Sequence, residues 1–376
     1  MKPKIIANYL PQFHQIPEND MWWGKNYTDW VAVKKAKPLF ADHAEPRIPL
    51  NDYYYDLSQK ESIVWQTELA VKYGIYGFGI YHYWFSEKMN LLHKPAEIIL
   101  NNKDIHIHYM FIWDNEPWKR TWSNIRHAND WAPNFDDSSQ NENNLTNTGN
   151  GILADLIYGT EDAWKEHFNY LLPFFKDERY IKIDNKPIFG FYQPRNDYNT
   201  IKKMAAYWDL LAKDCGFSGM ICMSRDNHMN YDLEYKFRYT PLVPNNLLSY
   251  LKYKSKDIYT SKKQIIRFYD YDKCWAEIIK EAKRADSNTF LSGFVQFDDT
   301  PRRGKNGRVV TGASPEKFNR YLRQLLDISE RQDKEYVFLT AWNEWGEGAY
   351  LEPDTINRYA YLSAVKKAVD SIGAHG

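Results

Sequence analysis

The sequence predicts an α/β protein, a single-domain (β/α)8 TIM barrel with a long insertion after its third strand. Eight short apolar or aromatic runs are typical of buried strands, and amphipathic helical patterns alternate with them. The chain has 376 residues, within the range of single barrels that carry insertions. Neither GxGxxG nor a phosphate-binding loop follows the first run, which disfavours an open nucleotide-binding sheet. We therefore expect one domain over residues 1–376.

The predicted strands are rich in β-branched and aromatic residues, and turn-forming residues bound most of them. The sixth is placed in the mixed run EYKFRYTP. The eight strands are predicted at residues 4–9, 77–85, 107–113, 186–192, 219–224, 234–241, 291–298 and 336–342.

The helices between them are predicted from start signals and from a 3.6-residue apolar period. Ser58 and Glu61 form a capping box before the first helix, and Gly74 ends it. Ser314 followed by Pro315 opens another helix before the last strand. The remaining helices are predicted at residues 94–101, 160–175 and 200–213 and from residue 272 onward.

Residues 114–159 form the insertion, and its tip reads DDSSQNENNLTNTGNG. Long polar loops inside compact domains are usually functional. Because regular structure resumes directly after it, we interpret this segment as a lid within the barrel and not as a domain boundary.

Composition limits the partners and the compartment. The net formal charge is zero, the pI is about 7.1 and no Lys/Arg run stands out, which argues against nucleic acid or an anionic membrane. The N-terminal apolar stretch is interrupted by Asn8 and Pro11, so it fits neither a signal peptide nor a membrane span. The 3 Cys are too few and too scattered for a disulfide framework or a zinc site. We expect a soluble cytoplasmic protein.

Two patterns could indicate a metal site, and both have a simpler interpretation. His106 and His108 share one face of a strand, but no third ligand follows at metal-site spacing. The DYD run at residues 270–272 matches the acidic signature of many nucleotide-sugar transferases. Because Asp272 stands where the next helix is predicted to begin, a helix cap is the favoured interpretation. We expect no metal and no organic cofactor.

The candidate catalytic pair lies in TAWNEWGEGAYLEP, where the last strand enters a turn that carries Glu344 and Glu347. Glycosidic chemistry needs one protonated carboxyl and one ionised carboxylate, and two carboxyls in one turn can hold different pKa values. Two glutamates three residues apart more often mark a solvated helical face. Here Gly346 and Gly348 argue against a regular helix. Glu352 is interpreted as a supporting or capping carboxyl.

Functional residues of a barrel gather at the C-terminal ends of its strands. Each residue at those ends is as consistent with packing as with function, but the set of acids, amides and aromatic rings predicts a sugar-binding cleft. The 29 Tyr and 14 Trp also suit such a cleft. The candidate binding residues are Asn8, Tyr9, His82, Tyr83, Trp84, Trp113, Asp114, Glu116, Tyr192, Arg225, Asp226, Asp298 and Asn343.

Five strings carry a resemblance to a known family: NYLPQFH, YHYWF, FKDERYIKIDNKPIFGFY, FDDTPRRG and WNEWGEGAYLEP. Together they resemble the WbsX-type proteins found with bacterial surface-polysaccharide biosynthesis genes. Those proteins are similar to glycoside hydrolase family 99, the endo-acting α-mannosidases. The resemblance extends over nearly the whole chain, and it implies a (β/α)8 barrel that acts on a polysaccharide or a lipid-linked glycan.

The resemblance also implies roles for the glutamates. Glu344 matches the base that takes the proton from a sugar 2-hydroxyl, so that this oxygen attacks its own anomeric carbon. Glu347 matches the general acid and base for the leaving oxygen and for water. The chain departs from the hydrolases at Gly346, since it reads EWGEG where they usually read EWHEG.

We therefore expect a carbohydrate-active enzyme with hydrolase-like chemistry. The alternatives are a WbsX-type glycosyltransferase of O-antigen or capsule biosynthesis and a non-catalytic glycan-binding barrel. Sequence does not decide the sugar, the linkage or the oligomeric state. Two structural findings would count against an enzyme: a glutamate pair buried in ion pairs, or a cleft filled by the protein's own side chains.

Overall fold

The computed structural model describes residues 2–119, 152–194, 197–225, 233–241 and 265–372. Eight parallel strands form one sheet, and they follow each other around it in chain order. The strands are β1 (Lys4–Tyr9), β2 (Gly77–Ser86), β3 (His108–Trp113), β4 (Lys186–Phe191), β5 (Ile221–Arg225), β6 (Tyr235–Phe237), β7 (Leu291–Phe294) and β8 (Tyr336–Thr340).

The sheet curls into a barrel. Parallel ladders join β6 through β5, β4, β3, β2 and β1 to β8, and β8 pairs with β7. The gap between β6 and β7 is bridged by backbone hydrogen bonds. Lys236 N–H donates to Asn288 O at 2.9 Å, and Phe290 N–H donates to Lys236 O at 2.8 Å. The predicted (β/α)8 barrel is confirmed.

Helices follow the strands in alternation. The longer ones are α1 (Lys60–Lys72), α2 (Lys94–Asn101), α3 (Glu161–Lys176), α4 (Tyr198–Asp214), α5 (Tyr271–Ala282), α6 (Pro315–Arg331) and α7 (Ala360–Asp370). Short helices Pro17–Trp23 and Trp30–Lys35 lie in the loop after β1, and Thr300–Arg303 lies in the loop after β7. No helix within these ranges is long and apolar enough to cross a membrane.

The predicted start of α1 is wrong by one residue. Helix α1 begins at Lys60, its N-cap is Gln59, and no side chain caps it. The Ser58 hydroxyl instead accepts a hydrogen bond from Gln59 Nε2 at 2.9 Å. The start of α6 is as predicted, since the Ser314 hydroxyl accepts a hydrogen bond from Lys317 N–H.

The DYD run lies at the start of α5, but its first aspartate is the cap. Asp270 accepts from Lys273 N–H. Asp272 pairs with Lys317 at 2.6 Å and Arg320 at 3.1 Å on α6. Both acids therefore serve the helix and its packing, as the simpler interpretation held.

The predicted insertion falls largely on residues 120–151, which lie outside the described ranges. Short antiparallel strands Trp118–Lys119 and Ile152–Ala154 bracket it. The lid therefore stays a prediction. Cys215, Cys222 and Cys274 are free thiols.

Side chains along β2 alternate between the barrel interior and the helices outside it. A Cβ on Gly79 would meet Ile6 and Ile112 of the flanking strands, so this face points into the barrel. Tyr81 and Tyr83 stand on the same face because side chains alternate along a strand. His82 is on the opposite face and contacts α3.

Candidate active site

The turn after β8 is a short hairpin that presents both glutamates. Strand Asn343–Glu344 pairs with Ala349–Tyr350, and a single 3-10 turn, Trp345–Glu347, connects them. Gly348 ends this turn with a φ of 55°, a conformation that favours glycine. The local sequence therefore folds so that Glu344 and Glu347 share one turn.

Asn343 anchors this hairpin to the chain that leaves β1. Its Oδ1 accepts from Leu10 N–H at 2.7 Å, and its Nδ2 donates to Leu10 O at 3.0 Å. The predicted binding residue Asn343 thus uses its amide to hold backbone, and it is fully buried.

Arg302 joins the two glutamates. Its Nη2 lies 3.3 Å from Glu344 Oε2, and its Nη1 lies 3.2 Å from Glu347 Oε1. The same Nη2 lies 3.1 Å from Asp29 Oδ1. Since one guanidinium contacts both glutamates, their carboxyls lie within about 10 Å of each other, the upper range for paired sugar-active carboxyls.

Sequence reasoning missed Arg302 and Asp29. Arg302 stands in the FDDTPRRG string just past β7, so its position at the C-terminal rim was a usable signal. Asp29 lies in the long loop after β1 and carried no pattern that marks a site.

The glutamates are therefore ion-paired and largely buried. Complete burial in ion pairs would argue against an enzyme. The ion pairing is incomplete, however, because three acids share this guanidinium. Burial raises the pKa of Glu344 well above its ordinary value, and the negative charge of Glu347 raises it further, while Arg302 opposes both effects. Glu347 is the more exposed of the two, with 14% side-chain exposure, and it also accepts from the Tyr239 hydroxyl at 2.7 Å.

This makes the pair asymmetric. Burial favours the protonated form of Glu344, whereas Glu347 is more exposed and receives hydrogen bonds from a guanidinium and a phenol. Glycosidic chemistry uses two carboxyl groups in different surroundings.

Tyrosines surround the pair. Burial, and then the charges of neighbouring groups that include Glu344 or Glu347, raise the pKa of Tyr81, Tyr83, Tyr192 and Tyr239. Tyr192 packs edge-on against Tyr81 at 5.6 Å and against Tyr239 at 5.8 Å between ring centroids. Within the described residues, the buried Tyr81 hydroxyl has no hydrogen-bond partner. These rings supply a wall of aromatic faces and hydroxyls.

A second acid lies beside this wall. Burial raises the pKa of Asp114 to about 7, with a further rise from Glu116 and an opposing effect of Arg225. The Arg225 guanidinium stacks on the Tyr192 ring at 3.8 Å. The structure therefore brings Asp114, Glu116, Tyr192 and Arg225 together on one part of the rim. Asp226 lies outside the described residues.

Three predicted cleft residues face away from the pair. His82 Nε2 lies 2.8 Å from His167 Nε2 on α3, and the Trp84 ring stacks on His167 at 4.4 Å. Trp113 packs edge-on against the same imidazole at 4.9 Å. Burial lowers the pKa of His82 to about 3. His82, Trp84 and Trp113 therefore contact α3, and their role in sugar binding stays a prediction.

Tyr9 also faces a helix. Its hydroxyl donates to Gln66 Oε1 on α1 at 2.7 Å, and Gln66 Nε2 donates to Glu352 Oε1 at 2.7 Å. Glu352 accepts in addition from Tyr55 at 2.8 Å and Trp345 at 2.6 Å. Glu352 is thus the supporting carboxyl that was expected, and Tyr9 belongs to its network and not to the cleft wall.

Asp298 supports the turn from below. Its N–H donates to Glu347 O at 2.7 Å, and its carboxylate lies 2.8 Å from His43 Nε2. Burial alone would raise the pKa of Asp298, but the hydrogen bond from His43 and the charge of Arg47 hold it below its ordinary value.

His43, Glu45 and Asp298 are also the group with metal-ligand spacing among the described residues, with ligand atoms within 4.8 Å of one another. Leu39 N–H donates to His43 Nδ1, so the ring proton sits on Nε2 and points at Asp298. Glu45 already pairs with Arg47 at 3.0 Å. A cation would have to displace that proton, and the group fits a closed ion-pair network better than a metal site.

Comparison with solved structures supports the fold. The chain is similar to the GH99 endo-alpha-mannosidase from Bacteroides thetaiotaomicron in complex with BIS-TRIS-Propane. The TM-score is 0.55 and the identity 13%, over 98% of this chain and 96% of that one. A second structure of that enzyme matches with a TM-score of 0.54 and 12% identity over the same shares. At these identities the likeness concerns the barrel.

Two curated relatives, both called uncharacterized protein WxcX, come from two strains of Xanthomonas campestris pv. campestris. Each is 27% identical over 383 residues, which covers 97% of this chain and 49% of the relative. The chain thus spans about half the length of these relatives. The family model "Glycosyltransferase WbsX" matches residues 5–365. This chain belongs to the WbsX glycosyltransferase family.

Proposed function

We propose that this protein is a carbohydrate-active enzyme that acts on glycosidic bonds of a bacterial surface polysaccharide or an α-mannan-like glycan. The observation that supports this best is the pair of Glu344 and Glu347, which one guanidinium joins among buried tyrosines. Aromatic rings suit the apolar faces of a sugar, and the hydroxyls around them suit its polar edge. The family membership agrees with a glycan as the substrate.

In the proposed reaction Glu344 is the base. Its carboxylate takes the proton of a sugar 2-hydroxyl, and that oxygen bonds to the anomeric carbon while the glycosidic carbon–oxygen bond breaks. Glu347 gives its proton to the leaving oxygen. Water then attacks the anomeric carbon and gives a proton to Glu347, while the bond between that carbon and the 2-oxygen breaks and Glu344 returns its proton to the 2-oxygen.

These roles need the proton on Glu347 when the sugar is bound, whereas the free site favours a proton on Glu344. We propose that substrate binding moves the proton, because a sugar hydroxyl donates to Glu344 and a glycosidic oxygen accepts from Glu347. A substrate with a good leaving group shows which glutamate is the acid, because such a substrate does not need a proton on the leaving oxygen. If Glu347 is the acid, Glu347→Gln cleaves an aryl glycoside while Glu344→Gln does not.

The proposal is tested with a panel of α-linked mannan and O-antigen fragments, with and without nucleotide sugars, and with products identified by mass. New reducing ends in the absence of a donor support hydrolysis. Glu335→Gln is the matched control, since Glu335 is also ion-paired, to Lys4 at 2.8 Å, but stands at the opposite end of β8. Loss of turnover in that control as well would point to damage of the barrel and not of the site.

The second candidate is a glycosyltransferase that uses the same cleft to pass a sugar to an acceptor. The name of the family favours it, and Arg225 at the rim is a cation that a phosphorylated donor could contact. Product that lengthens only when a nucleotide or lipid-phosphate donor is present would select this function.

The third candidate is a glycan-binding barrel without catalysis, which the ion pairs of Arg302 favour. Such a protein would show no turnover on any member of the panel. It would also bind oligosaccharide with unchanged affinity after Glu344→Gln and Glu347→Gln, as measured by calorimetry.

A further inference from the structure

The glycine between the two glutamates is explained by space and not by backbone conformation. Gly346 is absent from the glycines with positive φ, whereas Gly348, two residues later, has a φ of 55°. A Cβ on residue 346 would overlap Arg302 Nε and lie 2.8 Å from Asp29 Oδ2. The space beside Gly346 is therefore occupied by a guanidinium that comes from another loop.

That guanidinium lies among the acids. Arg302 is 6% exposed, and its terminal nitrogens contact Glu344, Glu347 and Asp29 at 3.1 to 3.3 Å. A planar guanidinium with several donors can hold two carboxylates at a fixed relative angle, which a flexible ammonium cannot. A side chain on residue 346 and this position of Arg302 exclude each other.

We propose that Arg302 is the positioning residue of the glutamate pair and that Gly346 is required to admit it, so that the two residues form one unit. Arg302 aligns Glu344 with Glu347 and supplies the fixed positive charge between them. This inference rests on the proposed function for its catalytic consequence, but not for its geometry.

The unit of Arg302 and Gly346 also predicts the charge of the sugar that is bound. Three acids contact this one guanidinium, so the proposed reaction site carries excess negative charge when they ionise. Such a site accepts an uncharged sugar ring and repels a carboxylate or phosphate next to the bond that breaks. We therefore expect the sugar that contacts the pair to be neutral.

Removal of Arg302 has a predictable sign. The charged and titratable groups that face Glu344 are Glu347, Asp29, Arg302, Tyr81, Tyr83, Tyr192 and Tyr239. Arg302 is the cation that contacts the carboxyl directly. Arg302→Gln should therefore move the limb of the pH profile of turnover that reports Glu344 to higher pH, by about one unit or more, because an adjacent opposite charge typically lowers a carboxyl pKa by that amount.

The experiment combines four variants: Arg302→Lys, Arg302→Gln, Gly346→Ala and the double variant Arg302→Gln/Gly346→Ala. Gly346→Ala alone should cost at least about tenfold in kcat, since it displaces Arg302 and misplaced groups lose rate steeply. The same alanine should cost less in the Arg302→Gln background, where the overlap with the guanidinium is gone and the contact with Asp29 Oδ2 remains. Arg302→Lys should keep the pH limbs near their wild-type position at reduced kcat.

Arg179→Gln is the matched control, because Arg179 is likewise a poorly exposed arginine, paired with Asp177 at 2.6 Å, and it stands away from the pair. It should lower the melting temperature without moving the pH limbs. The proposal is overturned if Arg302→Gln lowers activity with no shift of the limbs, or if Gly346→Ala has the same effect in both backgrounds.

Measurements without substrate distinguish failure of this proposal from failure of the proposed enzymatic function. The pKa of the Glu344 carboxyl, followed by NMR of labelled glutamate, should rise in Arg302→Gln. The melting temperatures of the four variants should show the same non-additivity. If those results hold while no glycan is turned over, the unit stands and the enzymatic function fails.

Discussion

Two buried carboxyl clusters lie on either side of the same turn, and they differ in how their charge is met. Glu352 accepts hydrogen bonds from the neutral donors Tyr55, Gln66 and Trp345. Glu344 and Glu347 share Arg302 with a third acid. The first arrangement fixes the turn, while the second gathers more acids than one guanidinium can neutralise. The contrast shows that carboxyls buried close together in one fold can have neutral or charged surroundings.

The largest expected effect is on turnover. Glu344→Gln and Glu347→Gln each should lower kcat by about a thousandfold on natural glycans, since positioned acid and base groups contribute about 10² to 10⁴-fold. Product formation is followed by mass. Substitution of Glu352 by Gln should have a much smaller effect on kcat, and an equal loss in all three variants would erase the distinction between the clusters.

Stability should respond in the opposite order. Glu352→Gln leaves several buried donors facing an amide, and we expect it to lower the free energy of unfolding by about 1–3 kcal/mol. Glu344→Gln removes a carboxyl whose charge is unfavourable where it stands, so the free energy of unfolding should stay the same or rise. Urea unfolding of both variants compares them directly. A stabilised Glu352→Gln variant would contradict the supporting role.

The Tyr239 hydroxyl is a hydrogen-bond donor to the glutamate pair, and its removal tests that contribution. Tyr239→Phe removes the hydrogen bond to Glu347 Oε2 and should lower kcat/KM by up to about tenfold, the size of one ordinary hydrogen bond. Unchanged kinetics would remove Tyr239 from the site.

The pH dependence of stability should carry the signature of Glu352. Burial raises the pKa of Glu352 from 4.5 to about 7, so the folded state binds a proton that the unfolded state releases. The free energy of unfolding should therefore fall as the pH rises from about 4.5 to about 7, with a slope of about 1.4 kcal/mol per unit from this group. Thermal melts across that range should show a flatter slope in Glu352→Gln. Parallel curves would mean that this carboxyl titrates normally.

The smallest effect is expected on the outer face of β2. Trp84→Phe changes a ring that stacks on His167 of α3, so it should leave kcat/KM on short fragments unchanged. Tyr83→Phe, on the inner face, is its partner experiment and should lower kcat/KM. Equal effects of the two substitutions would mean that the inner and outer faces of β2 do not differ in their importance for turnover.

Much of the fold was accessible to sequence patterns, because apolar runs and caps are local. The strands and the start of α6 at Ser314 illustrate this. The site was accessible only in part. Residues at strand ends were identified as a set, but the pattern did not separate Tyr83, which faces the pair, from its neighbours His82 and Trp84, which face α3. The direction of each side chain depends on strand register and twist, and a one-residue change reverses it.

The sequence by itself determined an alternating α/β chain, hence a barrel, and the turn after the last strand that carries two glutamates. The tertiary structure alone decided which charges meet those glutamates. Arg302 and Asp29 come from loops far from the pair in sequence, and they reach it because the barrel brings the C-terminal ends of its strands to one rim. Distances between remote segments are set by packing of the whole chain, and no local pattern encodes them.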